Sequence, residues 1–463
     1  MLPFSRPPGE LLGELDAWRE RIDSKVLVRT WEGRLRRDLQ AQSVAASTSI
    51  EGVAVTADDV RRILAEDIPT NVKPEDVRAV LGYRDAMEFV LQRADDPAFR
   101  WDRGLLTNLH DRVMARSYAA GAGRLRQGET SVVDQRTGTV VFEPAMGHEL
   151  PRLIDEICDQ MNKTQEHPAV NAAWVHVAVA GVHPFRDGNG RTARILASLA
   201  MYRGGFKRAE FTSLEEWLGE HRDAYYSAFH CLGSSFDPSA DVSQFIHAHV
   251  LAHVEQVRRL DLKERTERQI WQALEEICSD RGLSDRVANA LWDAFNGRDV
   301  TARYYREVND VSRQTATNDL TAASAAKLLK PIGQRRSRRY VAGDELLPAI
   351  AELTKVPVES NDANVRWQII GRLAQRLIEE AGGGPGWQIN VVSPTPPTVR
   401  LAWTAPGQER DKRRPTAEPR GDPPSPRHFW DGFRWVESRL ETTVMLGRDL
   451  ASLKQPPSRL NRR

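Results

Sequence analysis

The sequence predicts a mainly α chain built in several units, with one β-hairpin standing out of a helical core. Three observations predict it. Apolar residues recur at helical spacing over most of the first 330 residues, as in VRAVLGYRDAMEFVLQRA and LPRLIDEICDQMN, broken by short Gly and Pro loops. One segment, GETSVVDQRTGTVVFEPA, carries β-prone runs instead. The length, 463 residues, exceeds a single core and leaves room for about three units.

In chain order, RLRRDLQAQSVAAS reads as a helix that runs into Ser47-Thr48-Ser49-Ile50-Glu51-Gly52, with Gly52 placed as its stop. Glu51 then meets the negative end of the helix dipole, a cost of about 0.3 to 1 kcal/mol unless a cation compensates. In the β-prone segment, Ser131 to Val133 and Thr139 to Phe142 flank Arg136-Thr137-Gly138, which predicts a hairpin with Gly138 at the turn. AVNAAWVHVAVAGV and ILASLAMY predict two buried helices, and His176 on the first reads as a core histidine. Residues 267 to 341 read as a second unit: helices in RQIWQALEEICSD, SDRVANALWDAF and TARYYREV, then Ser312 capping SRQTATNDLTAASAAKLL. After Pro331 the basic run GQRRSRRYVAG predicts the two strands of a wing.

Beyond about residue 355 the composition changes to a helix-like VRWQIIGRLAQRLIEEA, a Gly-Pro stretch, and GWQINVV and TVRLAW on either side of SPTPP. Gly382-Gly383-Gly384 lacks the Lys-Ser/Thr of a phosphate loop and reads as a turn. TAPGQERDKRRPTAEPRGDPPSPRH lacks the apolar residues to fold alone and predicts a disordered linker before a final short helix, with Trp430 and Trp435 as packing residues. The expected C-terminal region is thus small, mixed and partly disordered.

Lys plus Arg number 65 against 64 Asp plus Glu, so no whole-chain field draws the protein to nucleic acid or an anionic membrane. Any polyanion site must be local. No apolar run approaches the roughly 20 residues of a membrane span, and the amino-terminal stretch lacks the apolar core of a secretory signal. Cys158, Cys231 and Cys278 are too widely spaced for a disulfide framework or a CxxC pair. The expected compartment is the cytoplasm, with no membrane partner.

The chemistry concentrates in His183-Pro184-Phe185-Arg186-Asp187-Gly188-Asn189-Gly190-Arg191-Thr192-Ala193-Arg194, a polar loop between the two buried helices. Gly188 and Gly190 let the backbone approach a ligand closely, and the N–H groups and dipole of the following helix favour an anion. Arg191 and Arg194, three apart, share one helix face and can clamp adjacent phosphates. Asp187 offers the single hard oxygen that Mg2+ takes from protein when it bridges substrate phosphates. His183 can accept a proton from an attacking hydroxyl near neutral pH. Taken singly, each of these residues is more often structural or solvated; their spacing points to phosphoryl or nucleotidyl transfer.

Position for position the stretch matches HxFx(D/E)GNGRxxR, and the chain resembles the Fic family over roughly residues 75 to 255, including HPAVNAAWVHVAVAGVHPF and EEWLGEHRDAYYSAFH. The resemblance implies a helical Fic core with a hairpin flap at 128 to 145, and transfer of AMP from ATP to a Ser, Thr or Tyr hydroxyl of a target protein. By it, His183 deprotonates the hydroxyl and Asp187 holds Mg2+. Backbone N–H groups at Gly188, Asn189 and Gly190 form the anion hole, Arg191 binds phosphates, and Arg194 takes the γ-phosphate. Ser47 to Gly52 matches the inhibitory motif (S/T)xxxE(G/N), which implies that Glu51 pairs with Arg194 and keeps the enzyme silent. Another diphosphate-containing donor, such as a different nucleotide or a nucleotide-choline, is the rival within enzymes.

The segment from Val311 to Gly343 resembles the winged helix-turn-helix that follows many Fic cores. It would present Arg313, Gln314 and Thr315 to DNA bases, and Arg335, Arg336, Arg338 and Arg339 to phosphates, or it serves instead as a protein-docking module or dimer-packing element. Lys327 stands where such modules have Gly, and Ala323 where a core Leu is common. The rival outside enzymes is a DNA-binding regulator whose Fic core senses nucleotide or modifies only itself. The expected organisation is 1–74 with the inhibitory helix, 75–255 catalytic, 256–350 linker helix and winged helix, and 351–463 without an assigned task. A homodimer is a further expectation from the resemblance.

Overall fold

The computed structural model describes residues 1–403 except 6, 8, 24–28, 118–120, 135–136, 209–213, 335–337, 359–364, 381–386 and 395–396, and beyond them 428–430, 435–437 and 441–445. For 29–39, 259, 367, 375 and everything from 378 onward it describes the backbone alone. The chain is mainly α and divides into two compact units, Met1–Val257 and Arg258–Arg463.

The first unit comprises α1 (Gly9–Asp23), α2 (Arg29–Ile50), α3 (Ala57–Leu64), α4 (Pro74–Ala94), α5 (Arg103–Val113), the strands β1 (Val132–Val133) and β2 (Val140–Phe142), α6 (Leu150–Lys163), α7 (Pro168–Val182), α8 (Asn189–Arg203), α9 (Leu214–Glu220), α10 (Arg222–Ala228) and the first part of α11 (Ser243–Asp280). Its centre is the α7–α8 pair. A helix apolar all round has no face to give to water and so ends up inside, and α7 is buried along almost its whole length, from Ala169 to Val182. Next to it α8 is buried from Arg191 to Tyr202, with α4 and α5 packed against α8 and α6 against α7. His176 is fully buried, as a core histidine should be. The pair thus fixes the ends of the loop that joins them, residues 183 to 188.

The helix α2 packs on α3, α4 and α9. It ends where Gly52 takes φ +85° and its N–H bonds to the Ser49 carbonyl, and α3 restarts on a capping box between Thr56 and Asp59. The hairpin is shorter than its sequence suggests: Val132 pairs with Phe142 and Val133 with Val140 across a bulge, and Gly138 turns the chain at φ +72°. Val133, Val140 and Val141 are exposed on it, while Glu143 ties its base to the Ser234–Phe236 segment by two backbone bonds.

The second unit holds the rest of α11, then α12 (Val287–Phe295), α13 (Ala302–Asn309), α14 (Arg313–Ala325), β3 (Leu329–Ile332), β4 (Arg339–Ala342), α15 (Leu346–Leu353), α16 (Val365–Glu380) and the strands β5 (Trp387–Pro394), β6 (Pro397–Trp403), β7 (His428–Trp430), β8 (Trp435–Glu437) and β9 (Glu441–Met445). Three expectations need correction. RQIWQALEEICSD is no separate helix but the end of α11, which runs 38 residues because no Gly or Pro interrupts it. The wing's first strand begins at Leu329 and includes Pro331, which a two-stranded ribbon tolerates because an edge position needs no N–H. The tail expected to end in a short helix instead forms β7, β8 and β9, with β9 paired to β6; Phe429, Trp430, Trp435, Val436, Thr442, Thr443 and Val444 are aromatic and β-branched, types that suit a pleated strand. Ser312 caps α14 by accepting the Thr315 N–H, Ala323 is buried, and Lys327 takes φ +57°, the conformation glycine adopts without strain. The linker 404–427 and Gly382 to Gly384 lie outside the described residues.

Candidate active site

The helix α7 stops at Val182, and His183 caps it in the left-handed region, φ +51°. Gly188, at φ +73°, opens α8, and a Cβ there would come within 2.7 Å of the Met114 sulfur. Between them Asn189 staples the loop: its Oδ1 accepts the Phe185 N–H at 2.9 Å and its Nδ2 donates to the Phe185 carbonyl at 2.8 Å. Thr192 adds a bond from Oγ1 to the Gly188 carbonyl at 2.8 Å. The Phe185 ring lies flat on His110, with centroids 3.7 Å apart. His110 accepts the Gly123 N–H at Nδ1, so its Nε2 carries the hydrogen and donates to the Asp187 carbonyl at 2.9 Å. Burial pushes His110 down to about 4, against the opposing Asp187 carbonyl, so it is neutral and holds the loop as a fixed donor.

His183 keeps its Nδ1 3.3 Å from the Ala180 carbonyl. A carbonyl only accepts, so that nitrogen carries the hydrogen and Nε2 presents a lone pair. Burial lowers its pKa from the usual 6.5, with Arg126 adding to the effect and Glu51 and Asp187 opposing it. Asp187 is 64% exposed; its Oδ1 accepts the Gly188 N–H at 2.6 Å and lies 3.8 Å from Arg191. The guanidinium of Arg191 is buried, with Nε lacking a partner among the described residues.

Arg194, 3% exposed, is held from several sides. Nε donates to Ser47 Oγ at 3.1 Å, and one terminal nitrogen donates to the Ser47 carbonyl at 3.0 Å and to Glu51 Oε1 at 2.8 Å. Burial opposes its charge, but Glu51 and the Tyr225 hydroxyl outweigh burial and raise its pKa. The same Glu51 carboxylate lies against Gly190, where any Cβ would collide with Oε1. It therefore sits at the amino end of α8, where anions are favoured. The compensating cation that the end of α2 requires is Arg194, from 143 residues away.

Ser47, Glu51, His183, Asp187, Gly188, Asn189, Gly190, Arg191 and Arg194 thus come together within the first unit. Four groups around them carry no local signal in the sequence. The Tyr225 hydroxyl favours the charge of Arg194 and bonds His176 Nε2 at 3.0 Å, and His176 Nδ1 continues to His249 Nε2 at 3.1 Å. Glu215, buried, accepts from the Tyr83 and Ser43 hydroxyls, and burial raises its pKa. Arg126 spans the loop and the hairpin. Arg313, Gln314, Thr315, Arg338 and Arg339 belong to the second unit, where Arg313, Gln314 and Arg338 are exposed and Arg339 pairs with Asp299 at 3.0 Å. Arg335, Arg336 and Arg136 lie outside the described residues. Among the described residues no group of three or more His, Cys, Asp or Glu could form a closed metal cage.

The Fic/DOC family profile matches residues 100–201. The chain is similar to a protein adenylyltransferase Fic from Nematostella vectensis, 27% identical over 42% of this chain and 45% of that one. It is likewise similar to protein adenylyltransferase fic-1 from Caenorhabditis elegans, 30% identical over 42% of this chain and 37% of that one. The chain spans less than half the length of these curated relatives. A Fic family protein of known structure from Desulfovibrio desulfuricans G20 aligns with a TM-score of 0.48 at 22% identity, over 74% of this chain and 98% of that one. The motif loop, the two helices that hold it and the hairpin beside it therefore lie in a Fic/DOC-family domain, which the chain carries at residues 100–201.

Proposed function

We propose that the chain is a protein adenylyltransferase that moves AMP from ATP to a hydroxyl side chain of a protein target. The observation that carries this reading is the Glu51 carboxylate held by Arg194 at the amino end of α8, an anion resting in a ready-made anion site. In the reaction the acceptor oxygen forms a bond to the α-phosphorus, the bond to the bridging oxygen of pyrophosphate breaks, and the acceptor's proton passes to Nε2 of His183. The N–H groups at Gly188, Asn189 and Gly190 bind phosphate oxygens, Arg191 adds charge, and Arg194 takes the γ-phosphate once Glu51 leaves. Because Arg194 cannot serve both anions, Glu51 acts as an inhibitor, with Ser47 holding the guanidinium in place.

A divalent cation fits Asp187. Its carboxylate is largely exposed and, among the described residues, only Oδ1 is engaged, which matches the one or two protein oxygens that Mg2+ takes beside substrate phosphates. Mg2+ held there would neutralise charge on the α- and β-phosphates. No described helix is long and apolar enough to cross a membrane, and the three unpaired thiols favour a reducing compartment such as the cytosol.

Intact mass after incubation with ATP and Mg2+ tests the reading. Glu51→Gly is expected to gain one AMP, on itself or on an added proteome, at least about tenfold faster than the wild type, and His183→Ala to gain none. No adduct from Glu51→Gly with ATP or with any other nucleotide donor would remove it. A second reading rests on α14, whose Arg313 and Gln314 are exposed beside the β3–β4 hairpin: the second unit would be a winged helix that docks the chain on DNA. Retardation of random duplex at low salt, lost on changing Arg313 and Arg338 to Ala, supports it; no retardation ends it.

A further inference from the structure

The guanidinium of Arg126 bonds only to backbone carbonyls among the described residues. Nε donates to His183 at 2.8 Å, NH1 to Gly128 at 2.7 Å, and NH2 to Ala145 and, at 3.3 Å, to Val182. The Arg126 N–H adds a bond to the Pro184 carbonyl at 3.0 Å. Gly128 precedes β1 and Ala145 follows β2, so one planar fork joins both legs of the hairpin to the end of α7 and to the backbone of His183. We propose that Arg126 is the positioning residue that keeps the hairpin and His183 in one register, so that a chain laid on the hairpin brings its hydroxyl to Nε2. This rests on the adenylyltransferase reading for what is transferred, but not for the coupling itself.

Two physical points favour a task beyond packing. Four carbonyls on three segments converge on donors in a fixed plane, a match that an ammonium on a flexible stem cannot reproduce. The guanidinium is also partly buried, with no carboxylate against it among the described residues, a costly arrangement, and its charge acts on His183. The charged groups around that imidazole are Arg126, Glu51 from the end of α2 and Asp187 from its own loop. Arg126 alone of the three favours the neutral imidazole, the form that accepts a proton. The hairpin base also walls a cavity of about 390 Å3, lined by Arg124, Arg126, Glu129 and Arg186 among others.

The test separates charge from geometry in the full chain carrying Glu51→Gly, with Arg126→Lys and Arg126→Gln added separately. Imidazole NMR should show His183 titrating at higher pH in Arg126→Gln and near the parent value in Arg126→Lys. Amide exchange should rise together at 128–145 and 182–188 in both. Self-modification with ATP and Mg2+ should fall about ten- to hundredfold in Arg126→Lys, with ATP affinity within about twofold of the parent. An unchanged His183 titration in Arg126→Gln, or hairpin exchange that leaves 182–188 unaltered, overturns the proposal. So does a loss carried entirely by ATP binding. If the parent itself transfers no AMP, the adenylyltransferase reading fails, while titration and exchange still decide the role of Arg126.

Discussion

Asn189 carries more of the loop than its place between two glycines suggests. Its side-chain amide closes a ring with the Phe185 backbone, using one donor and one acceptor, and Asn189→Ala would strand both backbone groups in a buried site at about 1–3 kcal/mol each. The expected result is a drop in thermal midpoint and at least about tenfold less transfer, checked by calorimetry and by AMP incorporation. His183 has its own signature. The base form exists above its pKa, which burial sets below 6.5, so rate is lost only as pH falls through that lower value; a Glu51→Gly pH profile whose acid limb sits above 6.5 would contradict this. Arg194 would remain solvated by protein if Glu51 left, since the Ser47 carbonyl and hydroxyl stay bonded and the Tyr225 hydroxyl and Glu215 act on its charge. Removing Glu51 should therefore free the guanidinium without unfolding the site.

At the scale of elements, α10 reaches the end of α2 beside Glu51, the residue on which the proposed inhibition depends. Arg222 donates to the Ile50 carbonyl at 2.8 Å, which gives the end of α2 a cation where its dipole is negative, and Tyr225 on the same helix favours the charge of Arg194. Arg222→Ala should loosen the last turn of α2, and with it Glu51, raising basal self-modification a few-fold while Glu51→Gly/Arg222→Ala matches Glu51→Gly; an additive gain would show that Arg222 acts elsewhere. Much at this scale was legible in the sequence: α7 and α8 from apolar runs, the hairpin from two short β-prone runs around Gly138, the α14 cap from Ser312. The misses share a cause. Periodicity finds helices but not their joins, so RQIWQALEEICSD read as a helix of its own, and the tail's aromatic and β-branched residues form strands through partners that periodicity does not show: β9 on β6, and β7 with β8.

For the whole molecule, acid stability of the first unit follows from its buried histidines. His176 is pushed by burial down to about 3 and His110 to about 4, and His249 falls well below 6.5. Each binds its proton more tightly unfolded than folded, so stability is complete above 6.5 and is lost as pH falls below it; for His176 and His110 the loss amounts to about 2 kcal/mol each at pH 5. The first unit should melt markedly lower at pH 5 than at pH 7, and His176→Gln should flatten that slope; calorimetry of the full chain, with each unit's transition read separately, checks it.

The sequence by itself determined which groups fit in one stretch: a histidine, a carboxylate, two glycines and two arginines at fixed spacing on one loop and one helix start. Those relations are local, so spacing alone expresses them. It could not say which protonation form His110 takes, that Asn189 binds Phe185, that Arg126 reaches both legs of the hairpin, or that Tyr225 and a buried histidine line the far side of Arg194. Asn189 and Phe185 are four residues apart and meet through the turn of the loop itself, but His110 with Asp187, Arg126 with Ala145 and His183, and Tyr225 with His176 lie 19 to 77 residues apart, and only the packing of helices around the α7–α8 pair brings their polar atoms within hydrogen-bonding distance.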